Sequence, residues 1–176
     1  AIFFGGDGLH LSTTFREEHT SSWLAWILKM EVLPDNLKKY IFTSFFNKLF
    51  SSSPLIERYG KLPSNLFDII HFPEIVCEKT LSYIDTESNE NYSGQLDIFI
   101  QGANFIMAIE NKIGDQNLKK NIYYKNSLDE MFKSDNSITL ITILLIPDID
   151  LQQISCKETF SYFPPITWEI GVRPII

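Results

Sequence analysis

Residues 94–112 read G-Q-L-D-I-F-I-Q-G-A-N-F-I-M-A-I-E-N-K, and their reading decides the fold. Two runs of β-formers, L-D-I-F-I at 96–100 and F-I-M-A-I at 105–109, flank Gln101-Gly102-Ala103-Asn104. Those four residues suit a tight turn, so the stretch predicts a hairpin. Each run carries charge at odds with its apolar character: Asp97 in the first, Glu110 and Lys112 closing the second. Side chains two apart on a strand share a face, so Glu110 and Lys112 point one way and Asn111 the other. Tight pairing would bring Asp97 near Glu110. Two carboxylates and an ammonium at the end of an apolar hairpin suit a divalent cation with a cationic helper.

Downstream, Gly114-Asp115 breaks the strand and can cap a helix over 116–132, with Leu118, Ile122, Leu128, Met131 and Phe132 turned inward. The longest apolar run, 138–146, is short and β-branched and reads as a buried strand stopped by Pro147-Asp148. Residues 151–176 leave room for one more short strand or helix. Upstream, 75–84 reads as a strand and the polar stretch 85–93 as a mobile loop. A helix is expected from Thr14, where T-F-R-E fits a capping box and Glu17 reaches back to the cap. Trp23, Leu24, Trp26, Ile27 and Met30 make its apolar stripe, which puts both tryptophans in the core. A second helix over 35–50 presents Leu37, Ile41, Phe45, Leu49 and Phe50, and Ser51-Ser52-Ser53-Pro54 stops it. Residues 1–12 read as a loose arm, and 54–73 as mixed with a short helix near 65–70. The last helix is long enough to cross over between parallel strands. An α/β fold is therefore predicted, one domain over 1–176, with a mixed β-sheet flanked by helices and an extra helix pair at the N-terminal side.

Composition bounds the function. The 176 residues are 44% hydrophobic and 14% aromatic, enough for a sizeable packed core. No apolar run is long enough to span a bilayer, and the first residues lack a signal-peptide pattern. Cys77 and Cys156 have no metal-type spacing and read as reduced fillers, which fits a cytoplasmic protein. A net charge of −7 argues against nonspecific coating of nucleic acid, but not against a local grip on a phosphate backbone.

The tripeptide Glu110-Asn111-Lys112 is cheap: with 22 acidic residues and 12 lysines in 176 positions, roughly one or two such tripeptides arise by chance. Its setting is more informative. The order helix–strand–strand–strand–helix–strand, with an acid on the second strand and E-x-K on the third, resembles the PD-(D/E)XK nuclease superfamily and its restriction-endonuclease-like core. Two runs carry the resemblance further, toward a bacterial branch. Glu17-Glu18-His19-Thr20-Ser21-Ser22-Trp23-Leu24-Ala25-Trp26 matches E-x-x-[HT]-S-x-x-L-A-W in the first helix, and Ile109-Glu110-Asn111-Lys112-Ile113 matches I-E-N-K-I on the third strand. The chain departs from that pattern at Gln95, where relatives often carry Arg. It also lacks a clear Gln-then-Tyr pair in the following helix, for which Gln116 or Asn121 with Tyr124 are the candidates.

The resemblance implies a metal-dependent nuclease acting most plausibly on DNA, and it assigns roles. Asp97 and Glu110 would hold Mg²⁺ (or Mn²⁺), with the Asn111 carbonyl and Glu17 adding ligands. Lys112 would orient the attacking water or stabilise charge on the transition state. Glu78, Gln116, Asn121 and Tyr124 are supporting candidates, and Lys119 and Lys120 could touch the phosphate backbone. Each has a plain rival. Asp97 could pair with Lys112 as a structural ion pair, Glu17 could only cap its helix, and the lysines could line a solvated face. A nuclease-fold module that binds nucleic acid or a protein without cutting is the alternative. Enzymes that cut both strands are often symmetric, which leaves a homodimer open.

Overall fold

The computed structural model describes residues 17–29, 32–60, 72–85, 89–112, 118, 120–147 and 160–167. The central hairpin forms as read: β2 (Asn91–Gln101) and β3 (Phe105–Asn111) pair antiparallel from Gln101↔Ile106 to Ile98↔Ile109. At the turn, the Gly102 N–H donates to the Phe105 carbonyl at 2.9 Å. A side chain at Gly102 would run into the Phe105 ring, with its first carbon 2.3 Å from Cε1, so this turn needs glycine.

Before the hairpin, β1 (Glu74–Ile84) pairs antiparallel with β2 along its length, to the rung Ile84↔Asn91. The polar stretch expected to loop as far as Ser93 is thus shorter, because strand begins at Asn91. The Asp85 N–H donates to the Glu90 carbonyl and the Asn89 N–H to the Asp85 carbonyl. Asn89 takes a left-handed φ of 56°, which Asn tolerates better than most residues. After β3, the crossover helix α4 (Lys120–Phe132) leads to β4 (Thr139–Ile146), which runs parallel to β3. A short β5 (Pro165–Thr167) adds parallel to β4, giving the sheet order β1-β2-β3-β4-β5.

Two cores lie on the two faces of this sheet. Helices α1 (Glu17–Lys29), α2 (Asp35–Leu49) and α3 (Ser53–Tyr59) cover one, and α4 covers the other. β3 is buried on both sides, with Phe105, Met107 and Ile109 toward α1–α3 and Ile106 and Ala108 toward α4. That explains its unbroken apolar run.

The helix faces follow the sequence reading only in part. Among the described side chains of α1, Ser21, Leu24, Ala25 and Leu28 are buried and Trp26 is 63% exposed, while the expected Trp23, Ile27 and Met30 lie outside the described side chains. Small residues at 21 and 25 face the sheet, and the larger apolar Trp26 is left outside. On α2 the buried row is Phe42, Phe45, Phe46 and Leu49, so the expected Phe45 and Leu49 are buried and Phe50 packs against the same core, while the expected Leu37 is exposed. On α4 the buried residues are Asn121, Tyr124, Ser127 and Leu128; the expected Leu118 and Leu128 are buried and Phe132 packs on the same core, while Met131 is exposed and Ile122 half-buried. Polar residues face inward there because α4 bonds to backbone. The Ser127 hydroxyl donates to the Ser82 carbonyl, and the Tyr124 hydroxyl to the Gln95 carbonyl, both at 2.9 Å. Apolar periodicity cannot see such a face.

The serine–proline run that ends α2 also starts α3, with Pro54 in its first turn, where a missing N–H costs nothing. The Tyr59 hydroxyl then accepts the Thr142 N–H at 2.8 Å from β4. The arm at 1–12, the helix start at Thr14 and the short helix near 65–70 lie outside the described residues. Among the described residues no helix is long and apolar enough to cross a membrane.

Candidate active site

Strand alternation breaks at one place, and the site is built there. Ile75 and Cys77 on β1, with Ile98 and Ile100 on β2, pack in the core under α1–α3. Strict alternation would keep Leu81 and Leu96 on that side, yet both belong to the α4-side core. Both strands therefore change faces between these points. Between the rungs Cys77↔Ile98 and Lys79↔Leu96, Glu78 and Asp97 share a rung that makes no ladder pair. Glu78 there adopts φ 53°, a left-handed conformation that costs a non-glycine residue about 1–2 kcal/mol. Strain of this kind persists where the surroundings enforce it, and it clusters at functional sites.

Asp97 leaves the β2–β3 ladder one residue past its last rung, Ile98↔Ile109. Its carboxylate takes over the missing partner's work, and Oδ2 accepts the Asn111 N–H at 2.6 Å. On the other side of β3, Glu110 and Asn111 stay in register with Leu144 and Leu145 of β4, and the Lys112 N–H donates to the Leu145 carbonyl at 2.9 Å. The backbone of 110–112 is thus held from both sides. Alternation then aims the side chains. Lys112 Nζ meets Glu110 Oε1 at 3.0 Å, with Glu110 only 2% exposed and the Lys112 side chain 11%. Asn111 points to the opposite face, where its side-chain amide donates to the Ser21 hydroxyl of α1 at 3.2 Å.

The electrostatics follow from this packing. Among the described residues, two carboxylates and one ammonium leave an excess negative charge in a mostly buried spot. Burial pushes the nearby Tyr124 phenol up to about 12, with the Glu110 carboxylate adding to the effect and Lys112 opposing it. Tyr124 therefore stays a neutral donor to the Gln95 carbonyl. Burial also raises the Cys77 thiol; Lys29 lowers it, while Glu78 and Asp97 add to the rise.

The donor set suits a hard divalent cation: two carboxylates held about the backbone of residues 110 and 111, whose Asn111 carbonyl could add a third oxygen. Among the described residues, no group of three His, Cys, Asp or Glu gathers as a metal site. The rest of a coordination shell would be carbonyl, water or Glu17, which stands one turn before Ser21 in α1 and whose side chain lies outside the described part.

Asp97, Glu110, Asn111 and Lys112 therefore converge. Glu78 is exposed, and its place in the site is the strained rung opposite Asp97. Asn121 is fully buried, one turn before Tyr124 on the same face of α4, and its side-chain amide makes no hydrogen bond. Lys120 is exposed at the start of α4. Gln116 and Lys119 lie outside the described residues. Two positions were not singled out in the sequence. Ser21 sat inside the first-helix run, so a signal existed. Gly94 gave none: a side chain there would meet the Tyr124 hydroxyl at 2.6 Å, so glycine lets α4 approach β2.

Comparison with known proteins agrees with this architecture. No curated protein and no solved structure matches the chain. The family model for the PD-(D/E)XK nuclease superfamily matches residues 9–159, which spans α1 through β4 and includes both carboxylates and the lysine. With a five-stranded mixed sheet flanked by helices, the restriction-endonuclease-like fold, and this match over most of its length, the chain belongs to the PD-(D/E)XK nuclease superfamily, whose members hydrolyse phosphodiester bonds.

Proposed function

We propose that this chain is an active, Mg²⁺- or Mn²⁺-dependent nuclease that cuts DNA. One observation carries the reading. Asp97, Glu110 and Lys112 gather where β2 and β3 part, with Glu110 buried against the Lys112 ammonium beside the amide that Asp97 accepts. Asp97 and Glu110 would hold the cation with the Asn111 carbonyl. When bound, the ion would supply two things: a bound water made acidic and a polarised phosphate. Lys112, anchored through its backbone to β4, presents a point charge to the attacking water or to the non-bridging phosphate oxygens. Glu17 adds a ligand or water contact from α1. Asn121 supplies the supporting amide that the Gln of relatives would give, its burial being consistent with a second-layer role. Lys119 and Lys120 offer contacts to the backbone phosphates, and the reading places the enzyme in a bacterial cytoplasm, on the first-helix and I-E-N-K-I runs and on two cysteines without metal-type spacing.

The test is cleavage of single- and double-stranded DNA and RNA with Mg²⁺ or Mn²⁺, comparing wild type with Lys112→Ala. Metal-dependent cutting of DNA that disappears in the variant supports the reading, and cutting confined to RNA reassigns the substrate. A folded protein that binds nucleic acid and cuts none of the four, with or without either metal, overturns it in favour of an inactive binding module. The net charge of −7 is the observation on that side. Gel filtration of the same protein decides between monomer and dimer.

A further inference from the structure

Near the active site, β1, β2 and α4 line a partly open pocket of about 130 Å³, walled by Tyr83, Tyr92, Ser93, Tyr123 and Tyr124 with Lys120 at the same lining. Three elements supply the aromatic rings. Tyr83 and Tyr92 face each other across the β1–β2 ladder. Tyr92 and Tyr123 are stacked, with ring centroids 3.7 Å apart and planes within 10°. The Tyr92 hydroxyl donates to the Glu90 carboxylate, which fixes its ring. This ring pair is set before any ligand arrives, so little side-chain entropy is lost on binding. The cavity lies near the site: Gly94 in its lining stands three residues before Asp97 on β2, and Tyr124, also in the lining, donates its hydroxyl to the Gln95 carbonyl.

We propose that this cavity is a stacking subsite for one unpaired base of the nucleic-acid strand whose phosphate enters the active site. The inference rests on the nuclease reading and narrows its substrate to a strand with an unpaired base next to the cut. Its chemistry is that of single-strand recognition, in which aromatic faces hold a base and a cation holds the flanking phosphate. Lys120 is the cation here. Stacking also suits a chain of net charge −7, which cannot rely on broad electrostatic attraction for affinity. A base inside a duplex is already stacked on its neighbours and cannot enter.

The experiment compares a short oligothymidine with an abasic strand of equal length and charge. Binding is read by fluorescence anisotropy in EDTA, so that nothing is cut, for wild type, Tyr123→Ala and Tyr123→Phe. Wild type should prefer the base-bearing strand by about tenfold. Tyr123→Ala should lose that preference by weakening the oligothymidine alone, and Tyr123→Phe should keep it. Equal binding of the two strands by wild type overturns the subsite. So does a Tyr123→Ala loss that falls equally on both strands, which would report general damage. Mn²⁺-dependent cleavage of the abasic strand is measured in parallel, with Lys112→Ala as control. If wild type cuts that strand but shows no base preference, the subsite fails and the nuclease reading stands. If wild type cuts neither strand and binds neither, both fall together.

Discussion

Replacing Lys112 with Met keeps the length of the side chain and removes its charge, leaving the Glu110 carboxylate without the ammonium that lies 3.0 Å away. At that distance and an effective dielectric of about 20, the gross attraction is about 5.5 kcal/mol. Water cannot easily take the place of Lys112, because Glu110 is 2% exposed. The variant recovers the cost of desolvating the lysine, whose side chain is 11% exposed. Removing one partner of such a buried pair therefore costs about 3–5 kcal/mol, a large share of the ~5–15 kcal/mol that stabilises a domain. The assay is urea unfolding followed by circular dichroism at neutral pH in EDTA, repeated with excess Mg²⁺. A cation at the carboxylates takes over part of the neutralising role, so the gap between variant and wild type should narrow in Mg²⁺. The double variant Glu110→Gln/Lys112→Met should regain most of the loss, because it removes the buried Glu110 charge together with its partner. A loss below about 1 kcal/mol in EDTA, typical of an exposed ion pair, would refute the reasoning. A double variant no more stable than Lys112→Met would refute it equally.

Four further outcomes follow from the same geometry. Asp97→Asn keeps the shape and a neutral acceptor for the Asn111 N–H, so stability should fall by only about 1 kcal/mol while the rise in Tm with Mn²⁺ disappears; an unchanged rise removes Asp97 from the ligand set. Glu78→Gly should stabilise the protein by about 1 kcal/mol in urea unfolding, since glycine accepts φ 53° freely, and a destabilised glycine variant would show that the strain argument is wrong. Gly94→Ala drives a methyl into the Tyr124 hydroxyl and should cost about 1–3 kcal/mol; a variant melting with wild type would mean that α4 yields more easily than its hydrogen bond to Gln95 implies. The Ser137 hydroxyl and N–H hold the Asp135 carboxyl below its ordinary 3.8, so this group favours the folded state above pH 3.8 and that contribution is lost as pH falls through the lower folded value. Ser137→Ala should move the Asp135 midpoint up toward 3.8 in an NMR titration, and an unmoved midpoint counts against the hydroxyl as the cause.

Much of the core was legible from residue pattern because strands β2, β3 and β4 are short apolar runs between turn residues, and such runs need burial wherever they go. The pairing of β2 with β3 followed from a four-residue turn containing the glycine that the Phe105 ring demands. The order of helices and strands, with an acid on the second strand and E-x-K on the third, pointed to the superfamily before any geometry was known, and the family model bears the superfamily out over residues 9–159. Helix faces were less legible. Trp26 was expected in the core and is exposed, since hydrophobicity says that a residue favours burial but not which side of a helix meets the sheet. The inner face of α4 is partly polar for a reason that no periodicity carries, because its Tyr124 and Ser127 hydroxyls bond to carbonyls of β2 and β1.

The sequence by itself determined the composition of the site, an Asp on one strand and a Glu and Lys on the next, because residue type and local spacing are written along the chain. Only the tertiary structure decided how they meet. The face change of β1 and β2 at the Glu78–Asp97 rung frees the Asp97 carboxylate to accept the Asn111 N–H. The grip of β4 on residues 110–112 then presses Lys112 against a buried Glu110. Those features arise from strands brought together across long stretches of chain, and backbone contacts between distant segments leave no mark in the spacing of neighbouring residues.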